Sequence, residues 1–259
     1  MADYRQHEQS VRTRVGSEAQ IDEGLRAYML KVYNYMALGV AVTGIVSLMV
    51  ANLATTTDPA LAVGTIGSGA MLTEFGATIY TSPLRWVIMF APLAFIMVLS
   101  FGINRLSAGA AQMAFWAFSA IMGLSISWIF LVYAGGSIAQ VFFVTAAAFG
   151  ALSLWGYTTK RDLSGMGTFL VMGVFGLIIA SIVNIFLASS AFHFAISVIG
   201  VLIFAGLTAY DTQRIKNEYA YVAHDGTLMA KSAIMGALSL YLDFVNMFMF
   251  LLSLFGSRE

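Results

Sequence analysis

The stretch Ile234-Met-Gly-Ala-Leu-Ser-Leu-Tyr-Leu-Asp-Phe-Val-Asn-Met-Phe-Met-Phe-Leu-Leu-Ser-Leu-Phe255 carries one ionisable acid, Asp243, near its middle. At about 1.5 Å per helical residue it is long enough to cross a hydrocarbon layer about 30 Å thick. A charged side chain at that depth is costly, so it faces a bundle interior or a water-filled cavity, and such residues mark ion or proton pathways. The remainder of the chain is therefore read as the surroundings of Asp243.

Those surroundings are membrane-like throughout. Of 259 residues, 59% are hydrophobic and only 10% charged, against about 25% charged in soluble domains. Apolar runs recur over residues 28–53, 84–103, 108–133, 138–157, 168–187, 192–212 and 233–255. The expected fold is all-α, with seven transmembrane helices forming one membrane domain over residues 27–256 behind a polar, cytoplasmic tail at residues 1–26. That tail alternates acids and bases with hardly any apolar periodicity, the pattern of a solvated segment. It precedes a first apolar run too long for a signal-peptide core, so this run is expected to remain as an anchor. The net charge of zero gives no case for nucleic-acid binding, and the absence of cysteine removes disulfides, thiolate metal sites and a cysteine nucleophile.

The loops alternate in charge. Arg5, Arg12, Arg14, Arg26, Lys31, Arg105, Lys160, Arg161, Arg214, Lys216 and Lys231 fall on one expected side, and only Arg85 and Arg258 on the other. The positive-inside rule then puts the N-terminus in the cytoplasm and the C-terminus outside. The connector over residues 54–83 has no lysine or arginine, and a polar connector after span six holds Arg214, Lys216, Glu218, His224, Asp225 and Lys231. Two stripes of small residues, Ser119/Gly123/Ser127 and Gly176/Ala180/Asn184, have the spacing that lets membrane helices approach closely.

Only two acids are placed in or against apolar helices: Asp243, and Asp211 in Leu207-Thr-Ala-Tyr-Asp-Thr-Gln-Arg214. Counted from the outer end, Asp211 lies about 25 Å down and Asp243 about 18 Å down, so contact between them requires tilt or a break in one helix. If they meet, both cannot ionise cheaply in a poorly solvated site and a proton is shared, which makes a pH sensor. A divalent cation can replace that proton. Ca²⁺ takes six to eight oxygens, so two aspartates supported by Tyr210, Ser239 and Asn246 make only a weak metal site, suited to a pathway. Arg105, in the turn between spans two and three, is a candidate partner of Asp211. The bland alternative for Asp211 is a capping or surface acid beside Arg214, and His193 is expected at the outer interface.

Three segments resemble the transmembrane Bax inhibitor motif family, that is, Bax inhibitor-1 and its bacterial inner-membrane relatives. They are Gly156-Tyr-Thr-Thr-Lys-Arg-Asp-Leu-Ser-Gly-Met-Gly167, Gly206-Leu-Thr-Ala-Tyr-Asp-Thr-Gln-Arg214 and Gly236-Ala-Leu-Ser-Leu-Tyr-Leu-Asp-Phe-Val-Asn-Met-Phe248. The resemblance covers residues 24–256 and implies seven helices with the last one central, wrapped by the other six. It implies a pH-sensitive calcium leak sensed by two aspartates, matched here by Asp211 and Asp243, with an arginine latch matched by Arg105. An acid found in the second helix of some relatives has no counterpart, since Leu93 and Ala94 occupy that region.

The expected function is a non-enzymatic cation leak channel of a bacterial inner membrane, conducting Ca²⁺, gated by protons and without a cofactor. Its expected partners are the lipid bilayer, Ca²⁺ and H⁺. One rival is a non-conducting regulator of a membrane protease or quality-control complex. Another is an intramembrane aspartyl protease, whose two carboxylates share a proton to activate water. Against that second rival, Leu240-Tyr241-Leu242 stands where those proteases carry Gly-Leu-Gly, and their Pro-Ala-Leu signature is missing.

Overall fold

A backbone surrounded by lipid must satisfy its own amides, and in a single apolar run only the helix does so internally. In the computed structural model seven helices are long and apolar enough to cross a membrane. They are residues Glu23–Ala54 of α1 (Ala2–Ala54), α3 (Leu84–Gly102), α4 (Ala108–Ile126) continued by the one-turn α5 (Ile129–Val132), α6 (Gly135–Thr158), α7 (Ser164–Leu187), α8 (Ser190–Val222) and α9 (Gly226–Phe255). A further short helix, α2 (Glu74–Thr81), precedes α3. The structure describes residues 2–66 and 69–258, with backbone alone for residues 2–22 and Asn104. The reading of the N-terminal tail as a solvated segment thus falls largely on side chains outside the described residues.

The last helix is the innermost. Over its most apolar window 56% of residues are buried, against 11% for α3 and for α7. Its extensive packing is with α8, α1, α6 and α4. Encirclement by all six other spans is therefore not what the packing shows, because α3 and α7 stand off it across a cavity. On the side facing α1 and α4, Tyr241 is fully buried, its ring edge-on to Phe115 and Phe118 at 5.8 and 5.7 Å. Its hydroxyl lies 2.6 Å from Thr43 Oγ1, which in turn donates to the Ser119 carbonyl at 2.9 Å. This buried polar link is fully partnered, as one in an apolar core must be. The stripe containing Gly123 makes the close approach its spacing promises, since a Cβ there would stand 2.6 Å from the Thr43 carbonyl oxygen. The second stripe does not: a Cβ on Gly176 would meet nothing within 4 Å.

The polar connector expected after span six is instead helical. Helix α8 runs on to Val222 and α9 begins at Gly226, leaving a turn of three residues. At about 1.5 Å per residue α8 is about 50 Å long, well beyond a hydrocarbon layer of about 30 Å. Hydropathy ends a span where lipid ends, whereas Gln213, Arg214, Lys216 and Glu218 are good helix formers that carry the helix onward. The extension is held by aromatic packing of Tyr28 on Tyr219, ring centroids 5.4 Å apart, and by Tyr28 Oη at 2.7 Å from Ser232 Oγ. Asp225 caps α9, accepting from the backbone N–H of Thr227 at 2.7 Å and of Leu228 at 3.1 Å. Substituting Asp225→Ala is expected to cost about 1 kcal/mol, read as a lower thermal midpoint in detergent, while Asp225→Asn keeps most of the stability.

At the other end of the bundle the 54–83 connector folds into a cap. Strands β1 (Thr55–Thr56) and β2 (Gly64–Thr65) flank β3 (Met71–Leu72), both antiparallel to it. Leu72 is buried against Ala51 and Leu131, and Thr73 caps α2 by accepting from Gly76 N–H at 3.1 Å. The C-terminus is fastened to the same end. Ala134 N–H donates to the Ser257 carbonyl at 3.0 Å, Ser257 N–H donates to Ser137 Oγ at 2.9 Å, and Arg258 lies over the Tyr133 ring at 5.8 Å.

Candidate functional site

One helical face of α9 presents Ser239, Leu242, Asp243, Asn246 and Phe250 at intervals of three and four residues. This stripe lines a cavity of about 800 Å³ whose other walls come from α3, α4, α7 and α8. Asp211, Tyr210 and Arg214 enter the same cavity from α8. All the sequence-expected acids and supporting ligands therefore share one space. Neither helix breaks to achieve this; the tight α8–α9 hairpin sets two continuous helices side by side. The acids differ by about six residues in depth from the hairpin, or about 9 Å along the axes.

Arg214 spans part of that offset. Its Nη2 lies 3.2 Å from Asp211 Oδ1, one turn back on α8, and donates to Ser239 Oγ at 3.0 Å across on α9. Ser239 is itself one turn from Asp243. The guanidinium thus holds the shallower acid and reaches toward the deeper one. Arg105 is not brought to this site: it lies exposed at the end of a one-turn 3-10 helix, Ile103–Arg105, following α3. The local spacing of three residues wins because it needs no rearrangement of another helix.

Asp243 is 4% exposed, and its Oδ2 has no hydrogen-bond partner among the described residues. Asn246 does not supply one, because its side-chain amide donates to the Leu242 carbonyl at 2.8 Å. A buried carboxylate oxygen without a partner, on a residue that lines a cavity, is suited to a proton or a cation. Among the described residues no three His, Cys, Asp or Glu side chains cluster as a metal site. A Ca²⁺ ion here would draw the rest of its six to eight oxygens from hydroxyls, carbonyls and water, the ligand set of a transit point.

The segment over residues 156–167 has a role that sequence reading missed. Gln213 clamps its loop, accepting from Leu163 N–H and donating to the Arg161 carbonyl, each at 2.8 Å. Lys216 donates to the Tyr157 carbonyl at 2.7 Å and sits over the Tyr157 ring at 4.9 Å. At Gly156 a Cβ would stand 2.3 Å from the Ala209 carbonyl oxygen, and at Gly167 2.3 Å from the Tyr210 ring. Both glycines thus permit close contact beside Asp211. Ser164 donates backbone N–H to Asp162 Oδ1 at 2.9 Å, and hydrogen bonds from its side chain and backbone hold the Asp162 carboxyl below the ordinary carboxylate range. The available sequence signal was the repeated glycine at positions 156, 165 and 167, but only tertiary structure shows which two need to be glycine.

Comparison with known proteins agrees with this architecture. The family model described as "Inhibitor of apoptosis-promoting Bax1" matches residues 25–259. The inner membrane protein YbhL of Escherichia coli strain K12 is 42% identical over 248 residues, covering 95% of this chain and 98% of that protein. An uncharacterized protein of Caulobacter vibrioides is 45% identical over 243 residues, 94% of this chain and 93% of its own length. A second, from Rickettsia prowazekii, is 44% identical over 247 residues, 95% and 96% respectively. A match across nearly every span, together with seven apolar helices, establishes that this multi-pass membrane protein belongs to the Bax inhibitor-1 family.

Proposed function

We propose that the protein is a proton-gated cation leak path of the bacterial inner membrane, with Ca²⁺ as the conducted ion and Asp211 and Asp243 as the sensing acids. The observation that carries this reading is the shared cavity, lined both by Asp243, a buried acid with one unpartnered oxygen, and by an Arg214–Asp211 ion pair. In this reading the latch is Arg214, where the family resemblance had pointed to Arg105. With Asp211 ionised, the guanidinium stays on it and puts a fixed positive charge in the cation's way. Protonating Asp211 removes its half of the attraction and frees Arg214 to leave. The end bearing Arg105, Lys160, Arg161 and Lys216 faces the cytoplasm under the positive-inside rule, so the hairpin turn is internal and the C-terminus external.

The test is Ca²⁺ flux into liposomes containing purified protein, between about pH 5 and 8. Wild-type flux rises as pH falls. Asp211→Asn, which cannot hold the latch, gives raised flux with little pH dependence, and Asp243→Asn gives low flux throughout. Flux equal to that of empty liposomes for all three proteins rejects the leak.

A second reading, a non-enzymatic regulator of another membrane protein, has one observation in its favour. The α8–α9 hairpin extends beyond the apolar spans and leaves Tyr221 and Leu228 exposed near its tip. It predicts no flux and a protein partner that survives mild detergent.

A further inference from the structure

The end of the bundle opposite the hairpin has a second cavity, of about 400 Å³, bounded by α2, the start of α3 and the end of α4. Arg85, Trp86 and Trp128 stand at its mouth, with the Arg85 guanidinium 4.8 Å from the Trp86 ring centroid. Arg85 is exposed, and no carboxylate pairs with it among the described residues. Met89 and Ser125 line both this cavity and the larger one, so the two adjoin. Their walls follow one face of α3, through Arg85, Met89, Pro92 and Ile96. From Arg85 to Ile96 is about 16 Å at the helical rise, or about half of a 30 Å hydrocarbon layer. The groove is therefore one leaflet deep.

It also opens sideways. Helix α3 packs on α2 and α4, and α7 packs on α8, while α3 and α7 do not pack extensively on each other among the described residues. Leu93 and Ile178, on the two facing walls, are each more than half exposed. An apolar cleft open to lipid at its flank takes up hydrocarbon, because an empty one forfeits dispersion contacts along its whole lining. The mouth adds what a hydrocarbon chain alone does not need: an unpaired guanidinium, whose fork matches phosphate oxygens, between tryptophans of the kind that sit at headgroup level.

We infer that this groove is a phospholipid site for the leaflet at the Arg85 end, with the phosphodiester on Arg85 and one acyl chain running along α3 to Ile96. The site does not depend on whether ions pass through the protein, and its test does not measure flux. Purified protein in detergent is titrated with palmitoyl-oleoyl phosphatidylglycerol, and bound lipid is counted by native mass spectrometry. Wild type retains one lipid per chain most tightly. Arg85→Ala, at an exposed position that leaves the fold intact, weakens retention by about tenfold or more, as expected for loss of a charge-assisted hydrogen bond. Ser125→Trp fills the junction of the two cavities and removes the tight lipid. Arg258→Ala, the other arginine at this end, leaves retention unchanged, and millimolar inorganic phosphate does not displace the lipid. Retention by Arg85→Ala equal to wild type overturns the site even if Ser125→Trp fails to fold. So does displacement by inorganic phosphate, or a polypeptide held at this face in the lipid's place.

Discussion

On the proposed leak function, replacing Arg214 with glutamine is expected to raise Ca²⁺ flux through reconstituted protein at neutral pH and to flatten its rise on acidification. In the wild type the guanidinium holds Asp211 at 3.2 Å and Ser239 at 3.0 Å, so it bridges α8 and α9 one turn from Asp243. Glutamine retains polarity and some reach but removes the charge that repels a cation. The Arg214 side chain is 47% exposed, so solvent screens the pair and its contribution belongs with exposed ion pairs, up to about 1 kcal/mol. An increase of roughly three- to fivefold follows at neutral pH. The sign is fixed by the acid: protonating Asp211 loosens Arg214 in the wild type, so acidification can add little once the arginine is gone. Liposome flux of Arg214→Gln beside wild type checks this. Arg105→Gln serves as the comparison, and its flux stays at the wild-type level because Arg105 does not reach the cavity. Wild-type flux from Arg214→Gln with raised flux from Arg105→Gln returns the latch to Arg105.

The second large effect is on stability and is opposite in sign at two glycines. Gly156→Ala places a Cβ 2.3 Å from the Ala209 carbonyl oxygen, a backbone atom that cannot rotate away, so α6 and α8 must part. Overpacking of this kind costs about 1–3 kcal/mol. Gly176→Ala meets nothing within 4 Å and gains about 0.5–1 kcal/mol by removing backbone freedom from the unfolded chain within a helix. Thermal unfolding in one detergent should lower the midpoint for the first and raise it for the second. Equal shifts would show that α6 and α8 are not in contact at Ala209. Because Ala209 lies two residues before Asp211, Gly156→Ala is also expected to alter the pH response of flux, whereas Gly176→Ala leaves it alone.

The seven long apolar helices were legible because each must hide its backbone from lipid in a run of about 20 residues, and hydropathy reads that requirement directly. Asp243 and Asp211 were legible for the same reason, as exceptions to it. What lay outside the lipid was not. The residues from Arg214 to Lys231 look like a loop by hydropathy, yet Arg214, Lys216 and Glu218 are good helix formers, and Tyr28 packed on Tyr219 supports the extension of α8. The strands of the 54–83 cap have two residues each, too short for any periodicity, and exist only because Leu72 finds a pocket at Ala51 and Leu131. The Arg214–Asp211 pair follows from a helical spacing of three residues, which sequence shows directly, whereas Arg105, to which the resemblance pointed, lies exposed at the end of the turn after α3.

The fastening of α9 at both ends has a mechanical consequence. At the hairpin end Ser232 Oγ of α9 lies 2.7 Å from Tyr28 Oη of α1, and at the far end Ser257 is bonded to Ala134 and Ser137. A rod held at both ends cannot act as a piston, because axial sliding would tear one set of bonds before Asp243 changed depth. It can serve as the stationary post of a gate. In the proposed leak the moving leaves would then be the two least buried helices, α3 and α7, which border the cavity.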